Sequence, residues 1–104
     1  MNNQYELIGL IVSEGTLEIL KYLEKADVGH FRDLRDLKNL RTKKNFSSNT
    51  ISARLKELVK YGAIERTIYE VSGRGVAAYK ITVAGKKCIE IADKFEGELR
   101  RELK

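Results

Sequence analysis

The 104-residue sequence contains no proline, no tryptophan, a single cysteine (Cys88) and a single histidine (His30). One cysteine excludes an internal disulfide framework, and one His with one Cys cannot furnish the ligand set of a structural zinc. No second histidine is present to complete a hydrolytic triad, and the carboxylates are scattered without a pair that stands out as an acid/base couple. An enzyme is therefore not expected, nor a cofactor, nor a metal. The longest apolar stretch, Leu7-Ile8-Gly9-Leu10-Ile11-Val12, falls far short of the roughly 20 residues of a membrane span. The opening Met1-Asn2-Asn3-Gln4-Tyr5-Glu6 carries no positive run or small-residue cleavage site, so no signal peptide and no membrane partner are expected. Low-complexity tracts and Gly/Ser linkers are also lacking. With 42% apolar residues, disorder is disfavoured and one cytoplasmic domain over 1–104 is expected. A chain this short is too small for a barrel or a doubly wound sheet.

Charge is present, and it is unevenly placed. The net value of +5 averages four distinct regions. Residues 1–29 hold two Lys/Arg against five Asp/Glu; 30–66 hold ten against four; 67–87 hold four against one; 88–104 hold four against five. A basic centre between mildly acidic ends attracts polyanions, and on composition a nucleic-acid partner and a solvated basic face fit it equally well.

Hydrophobic periodicity then supplies the elements. Leu7, Ile8, Ile11 and Val12 predict a helix over 4–13, and Thr16 is placed to cap a second helix to about Lys25. Leu17, Leu20 and Leu23 form its stripe, with Ile19 and Tyr22 beside them. After the break at Asp27–His30, Phe31, Leu34, Leu37 and Leu40 mark another short helix. The helix over 47–61 has the clearest boundaries. Ser47 caps it, Phe46 before the cap meets Ile51 as a hydrophobic staple, and Gly62 ends it. Ile51, Leu55, Leu58 and Val59 are its buried stripe. Beyond it the pattern turns β: Ala63–Val71 and Val76–Thr82 flank a Ser72–Gly75 turn and read as a hairpin. Thr82 caps a last helix from Val83 to about residue 101, with Glu90–Lys94 and Glu96–Arg100 pairs and an interruption at Gly97. Cys88 is expected as a buried thiol on its inner side with Ile91, Ala92 and Phe95.

Two features could carry chemistry. Gly73-Arg74-Gly75-Val76-Ala77-Ala78 matches the dinucleotide fingerprint, but a strand follows where a helix must open, so the match is fortuitous. The helix at 47–61 carries the stronger signal. At 100° per residue, Asn49, Ser52, Ala53, Lys56 and Lys60 fall opposite the buried stripe, and Ser47-Ser48-Asn49-Thr50 opens the helix with small polar residues. That composition suits a helix entering a major groove about 12 Å wide by its N-terminus. Small residues permit close approach, hydroxyls and free N–H groups meet phosphates, and amide or cationic side chains read base edges.

The segments Ser47-Ser48-Asn49-Thr50-Ile51-Ser52-Ala53-Arg54-Leu55-Lys56-Glu57-Leu58, Tyr61-Gly62-Ala63-Ile64-Glu65-Arg66 and Tyr79-Lys80-Ile81-Thr82-Val83-Ala84-Gly85 resemble winged helix-turn-helix domains of the MarR, ArsR and HxlR groups of transcription regulators. The resemblance implies an α+β fold: a three-helix core over 15–82 with a two-stranded wing, an N-terminal helix over 1–14 and a long C-terminal helix over 83–104. It implies a homodimeric regulator that binds double-stranded DNA, with 47–61 in the major groove and the wing 69–79 at the minor groove. The expected DNA-binding residues are Lys43, Lys44, Ser47, Ser48, Asn49, Ser52, Ala53, Arg54, Lys56, Lys60 and Arg74; Leu7, Ile8, Ile11, Ile89, Ala92, Phe95 and Leu99 are expected to pair two copies. A protein-interaction module and a sequence-tolerant architectural or replication protein are the alternatives. Two departures stand out. Phe31 and Ser47 are several residues further apart than in the family, the extra length bearing Lys38, Arg41, Lys43 and Lys44, and the N-terminal cysteine usual in the HxlR group is missing. The added stretch is either a longer second helix or a basic loop.

Overall fold

The apolar stripes assemble as five helices and one small sheet in the structure, a computed structural model that describes residues 4–103. The order is α1 (Glu6–Val12), α2 (Thr16–Ala26), β1 (Gly29–His30), α3 (Phe31–Arg35), α4 (Ser48–Lys60), β2 (Ile64–Val71), β3 (Arg74–Ile81) and α5 (Val83–Glu102). The antiparallel sheet has the strand order β1-β3-β2. Its two-residue strand β1 was not expected, because so short a strand has no periodicity to detect. Gly29 permits it: a Cβ there would lie 2.7 Å from Leu23 Cδ2.

The core forms where α2, α3 and α4 converge. Ile19, Leu20 and Leu23 meet Leu34 and Ile51, Leu55 and Leu58, with Phe46, Ile64, Leu10 and Ile89 closing the periphery. Each such side chain contributes about 1.5–3 kcal/mol by leaving water, which makes this cluster the main source of cohesion. Several sequence assignments change here. α1 buries Leu10, while Leu7, Ile8 and Val12 stay exposed. Thr16 is the first residue of α2 and donates its hydroxyl to the Leu10 carbonyl at 2.6 Å, whereas Gly15, at φ +92°, takes the cap position. Val59 lies at the exposed edge of the α4 stripe, and Ile91 points to solvent rather than lying beside Cys88. Leu40 is exposed as well, because α3 ends at Arg35 and residues 38–45 form a loop instead of extending the helix.

Both ends of α4 form as the sequence predicts. Ser47 Oγ accepts from Thr50 N at 3.1 Å. At the other end, Gly62 N donates to Val59 O and Ala63 N to Leu58 O, with Gly62 at φ +78°; this is a complete Schellman cap. The hairpin is tighter than expected. Only Ser72 and Gly73 form its turn, both at positive φ as a type I′ connection demands, and Arg74 and Gly75 already belong to β3. Thr82 then ties the wing to the last helix. Its N donates to Ala63 O, its hydroxyl lies 2.6 Å from Gly62 O and 2.9 Å from Ala63 O, and it accepts from Gly85 N at 3.1 Å. α5 continues unbroken through Gly97, with Arg100 Nε paired to Glu96 at 2.6 Å.

Candidate nucleic-acid interface

α4 is oriented by what it buries. With Ile51, Leu55 and Leu58 fixed in the core, Ser48, Asn49, Lys56 and Lys60 are exposed, and Ser52 and Ala53 are half-buried at the margins of that outer face. Ser47 Oγ and Thr50 Oγ1 lie 2.9 Å apart and secure the first turn. The first N–H groups of any helix lack intrahelical partners, and here they open beside exposed Ser48 and Asn49. The macrodipole adds a partial positive charge at the same end, and no acidic residue occupies the first turn to offset it. Polar side chains, free donors and the positive end of the helix dipole therefore coincide at the start of α4.

Arg54 departs from its expected place. Its Nη1 lies 3.0 Å from Glu57 Oε1, its side chain is only 21% exposed, and its stem packs close to Gly15 at the start of α2. The cation is engaged within the fold rather than offered to a DNA backbone, because position 54 faces α2. Lys60 remains exposed, its Nζ 5.4 Å from the Tyr61 ring centroid. The Tyr61 hydroxyl donates to Glu6, linking the end of α4 to α1; that hydrogen bond raises the tyrosine above its ordinary pKa. Neither this tether nor the Lys21–Asp93 pair at 3.3 Å, which joins α2 to α5, carries a sequence signal, since both connect distant elements.

Lys43 and Lys44 sit exposed on the 38–45 loop directly before α4, and Arg74 is exposed at the wing tip. The loop and the helix start are contiguous: Thr42, Lys44 and Asn45 line one shallow cleft with Ser47 and Thr50. Wing and helix are joined through the Gly62–Ile64 connection. His30 is structural: its Nδ1 lies 3.1 Å from Ala77 O, and its backbone N donates to Asp33. Among the described residues no cluster of His, Cys, Asp and Glu is arranged to hold a metal, and no helix is long and apolar enough to cross a membrane.

The residues expected to pair two copies divide in two. Leu7, Ile8, Phe95 and Leu99 are exposed, and Ile11 and Ala92 are half-buried. Ile89 is 6% exposed and belongs to the chain's own core, because α5 docks on α2 at that turn; it has no surface to offer a partner.

No protein-family model and no curated protein matches the chain. Solved structures do. A PadR family transcription regulator from Clostridium difficile superposes with a TM-score of 0.65 at 20% identity, covering 86% of this chain and 98% of that one. A Thermoplasma acidophilum protein assigned as a transcriptional regulator gives 0.60 at 26% identity, with 94% and 97% covered. The fold is a winged helix-turn-helix. MarR from E. coli in its apo form matches 99% of this chain and 84% of its own, with a TM-score of 0.64 at 18% identity. These winged-helix neighbours are regulators rather than enzymes. In this winged helix α4 is the helix that precedes the wing, and the β2–β3 hairpin is the wing.

Proposed function

We propose that this chain is a cytoplasmic, sequence-specific double-stranded-DNA-binding transcription regulator that acts as a homodimer. The observation that carries the proposal is the outer face of α4. Its buried stripe fixes the helix while Ser48, Asn49 and Lys56 project from the polar side. Asn49 would pair with an adenine edge and Lys56 with guanine, while Ser47, Ser48, Lys43, Lys44 and Lys60 hold the flanking phosphates. Ser52 and Ala53 allow close approach to the groove wall. The similarity to PadR and MarR structures supports DNA as the partner. Twofold pairing through the exposed apolar residues of α1 and α5 would cover Leu7, Ile8, Phe95 and Leu99 and set two α4 helices about 34 Å apart.

Duplex titration with single variants tests this reading. Asn49→Ala should cost about 1–3 kcal/mol at its matched base pair and relax preference there, whereas Lys60→Ala should weaken all sequences alike. Uniform losses for both variants would favour a sequence-tolerant architectural protein. Absence of binding to every duplex would favour a protein-interaction module.

A further inference from the structure

We propose that residues 38–45 form a preorganised phosphate clamp beside α4, and that Asn39 is its positioning residue. This deepens the DNA-binding reading and rests on it. Between Leu37 and Ser47 the chain has four cations, Lys38, Arg41, Lys43 and Lys44, and no carboxylate. All four are exposed, and among the described residues none of them makes an ion pair. Like charges so close together repel and favour an open, fluctuating loop. This loop is closed.

Asn39 closes it from within. Its side chain is buried, the residue being 7% exposed, and its Oδ1 accepts from Arg41 N at 2.8 Å and Thr42 N at 3.2 Å. Its backbone N donates to Lys44 O and its carbonyl accepts from Lys43 N, both at 2.8 Å, while Lys38 bridges to Asn45. Lys43 is held at φ +65°, a left-handed conformation that a non-glycine residue rarely adopts. A second anchor comes from outside the loop: Leu40 N donates to Glu18 Oε2 on α2 at 2.9 Å. The loop therefore holds four cations that make no ion pair among the described residues, against both their repulsion and the backbone preference of Lys43.

A polyanion with regularly spaced charges is the ligand that such an arrangement fits. Thr42 and Lys44 share their cleft with Ser47 and Thr50, so the clamp adjoins the N-terminal end of α4. Glu14 also lines that cleft, whereas Arg41 and Lys43 are not among its lining residues. The clamp thus grips DNA phosphates just outside the groove that α4 enters. Asn39 touches no phosphate; it acts by fixing where the cations stand.

The test is a titration of the full chain on a mixed-sequence duplex of about 30 base pairs across a salt series, with thermal melts to verify folding. Replacing Arg41, Lys43 and Lys44 together by Gln should flatten the log–log salt dependence by about 2–3, at about 0.9 per phosphate released. Asn39→Ala should weaken binding about tenfold in the parent and change little in the triple variant, since the residue works through those cations. Glu18→Ala, compared with Glu18→Gln, which removes the same charge but keeps an acceptor for Leu40 N, should show the same dependence on the cations and serves if Asn39→Ala fails to fold. An unchanged salt slope in the triple variant, or an Asn39→Ala loss of equal size with and without the cations, overturns the clamp. If Lys56→Ala still weakens binding in that case, the DNA-binding reading stands alone. A parent chain that binds no duplex overturns both.

Discussion

Gly85→Ala tests how the last helix is seated on the winged-helix core. Gly85 is buried in the first turn of α5, and a Cβ built on it would lie 2.2 Å from the Ala63 carbonyl oxygen and 2.6 Å from Ile81 Cγ1. Such contacts do not occur below 3.0 Å, and the obstructing oxygen is backbone, so it cannot rotate aside. That oxygen also accepts from Thr82 N at 3.1 Å and lies 2.9 Å from the Thr82 hydroxyl, so retreating from the methyl group would disturb the joint between wing and helix. Overpacking of this kind costs about 1–3 kcal/mol or more, and the better helix propensity of Ala returns only about 1 kcal/mol. A net loss of about 2 kcal/mol would lower the melting temperature by roughly 8–16 °C for a domain of this size. Gly97→Ala provides the control. Its nearest neighbour is Arg101 Nη1 at 3.9 Å, so the same substitution in the same helix should be neutral or gain up to about 1 kcal/mol. Paired thermal and urea melts followed by far-ultraviolet circular dichroism separate the two. A Gly85→Ala chain that melts at or above the parent temperature would refute the argument.

Two further outcomes are expected. Arg74→Ala at the wing tip should lower affinity chiefly on duplexes with A·T-rich flanks, where a narrow minor groove concentrates negative potential; equal affinity of mutant and parent on all flanks would show that the tip stays in solvent. Phe95→Glu with Leu99→Glu alters side chains that are 48% and 39% exposed and lie outside the core, so the chain should keep its fold and shift from dimer to monomer in sedimentation at micromolar concentration; an unchanged sedimentation profile would place the pairing surface elsewhere.

What could be read from the sequence follows the range of each interaction. The α4 boundaries were legible because Ser47, Phe46, Ile51 and Gly62 act within one or two helical turns. The hairpin was legible from its β-branched runs, but not the length of its turn: Ser72 adopts φ +51°, which a serine does not advertise. The exposure of Leu7, Ile8 and Val12 on α1 follows the expectation of an uncovered apolar end, whereas the burial of Leu10 against α2 had no separate local signal. Arg54, three residues after Ile51 and four before Leu58, falls on the flank of the buried stripe by spacing alone and packs near Gly15. Ile89 is covered because α5 docks on α2, which its own helix does not signal. Asn39 carried a local signal that went unused: an Asn whose side chain accepts from the backbone N–H groups two and three residues on forms an Asx turn, and a basic run after it marks a loop rather than a longer helix.

The most direct test of the central claim, that α4 reads sequence in the major groove, is selection of bound duplexes from a random pool by the intact chain. Enrichment of one motif with twofold symmetry is expected, its half-sites about one helical turn apart, with loss of preference at a defined base pair in each half when the selection is repeated with Asn49→Ala. A pool that emerges without a motif, or the same motif recovered unaltered by Asn49→Ala, would contradict it.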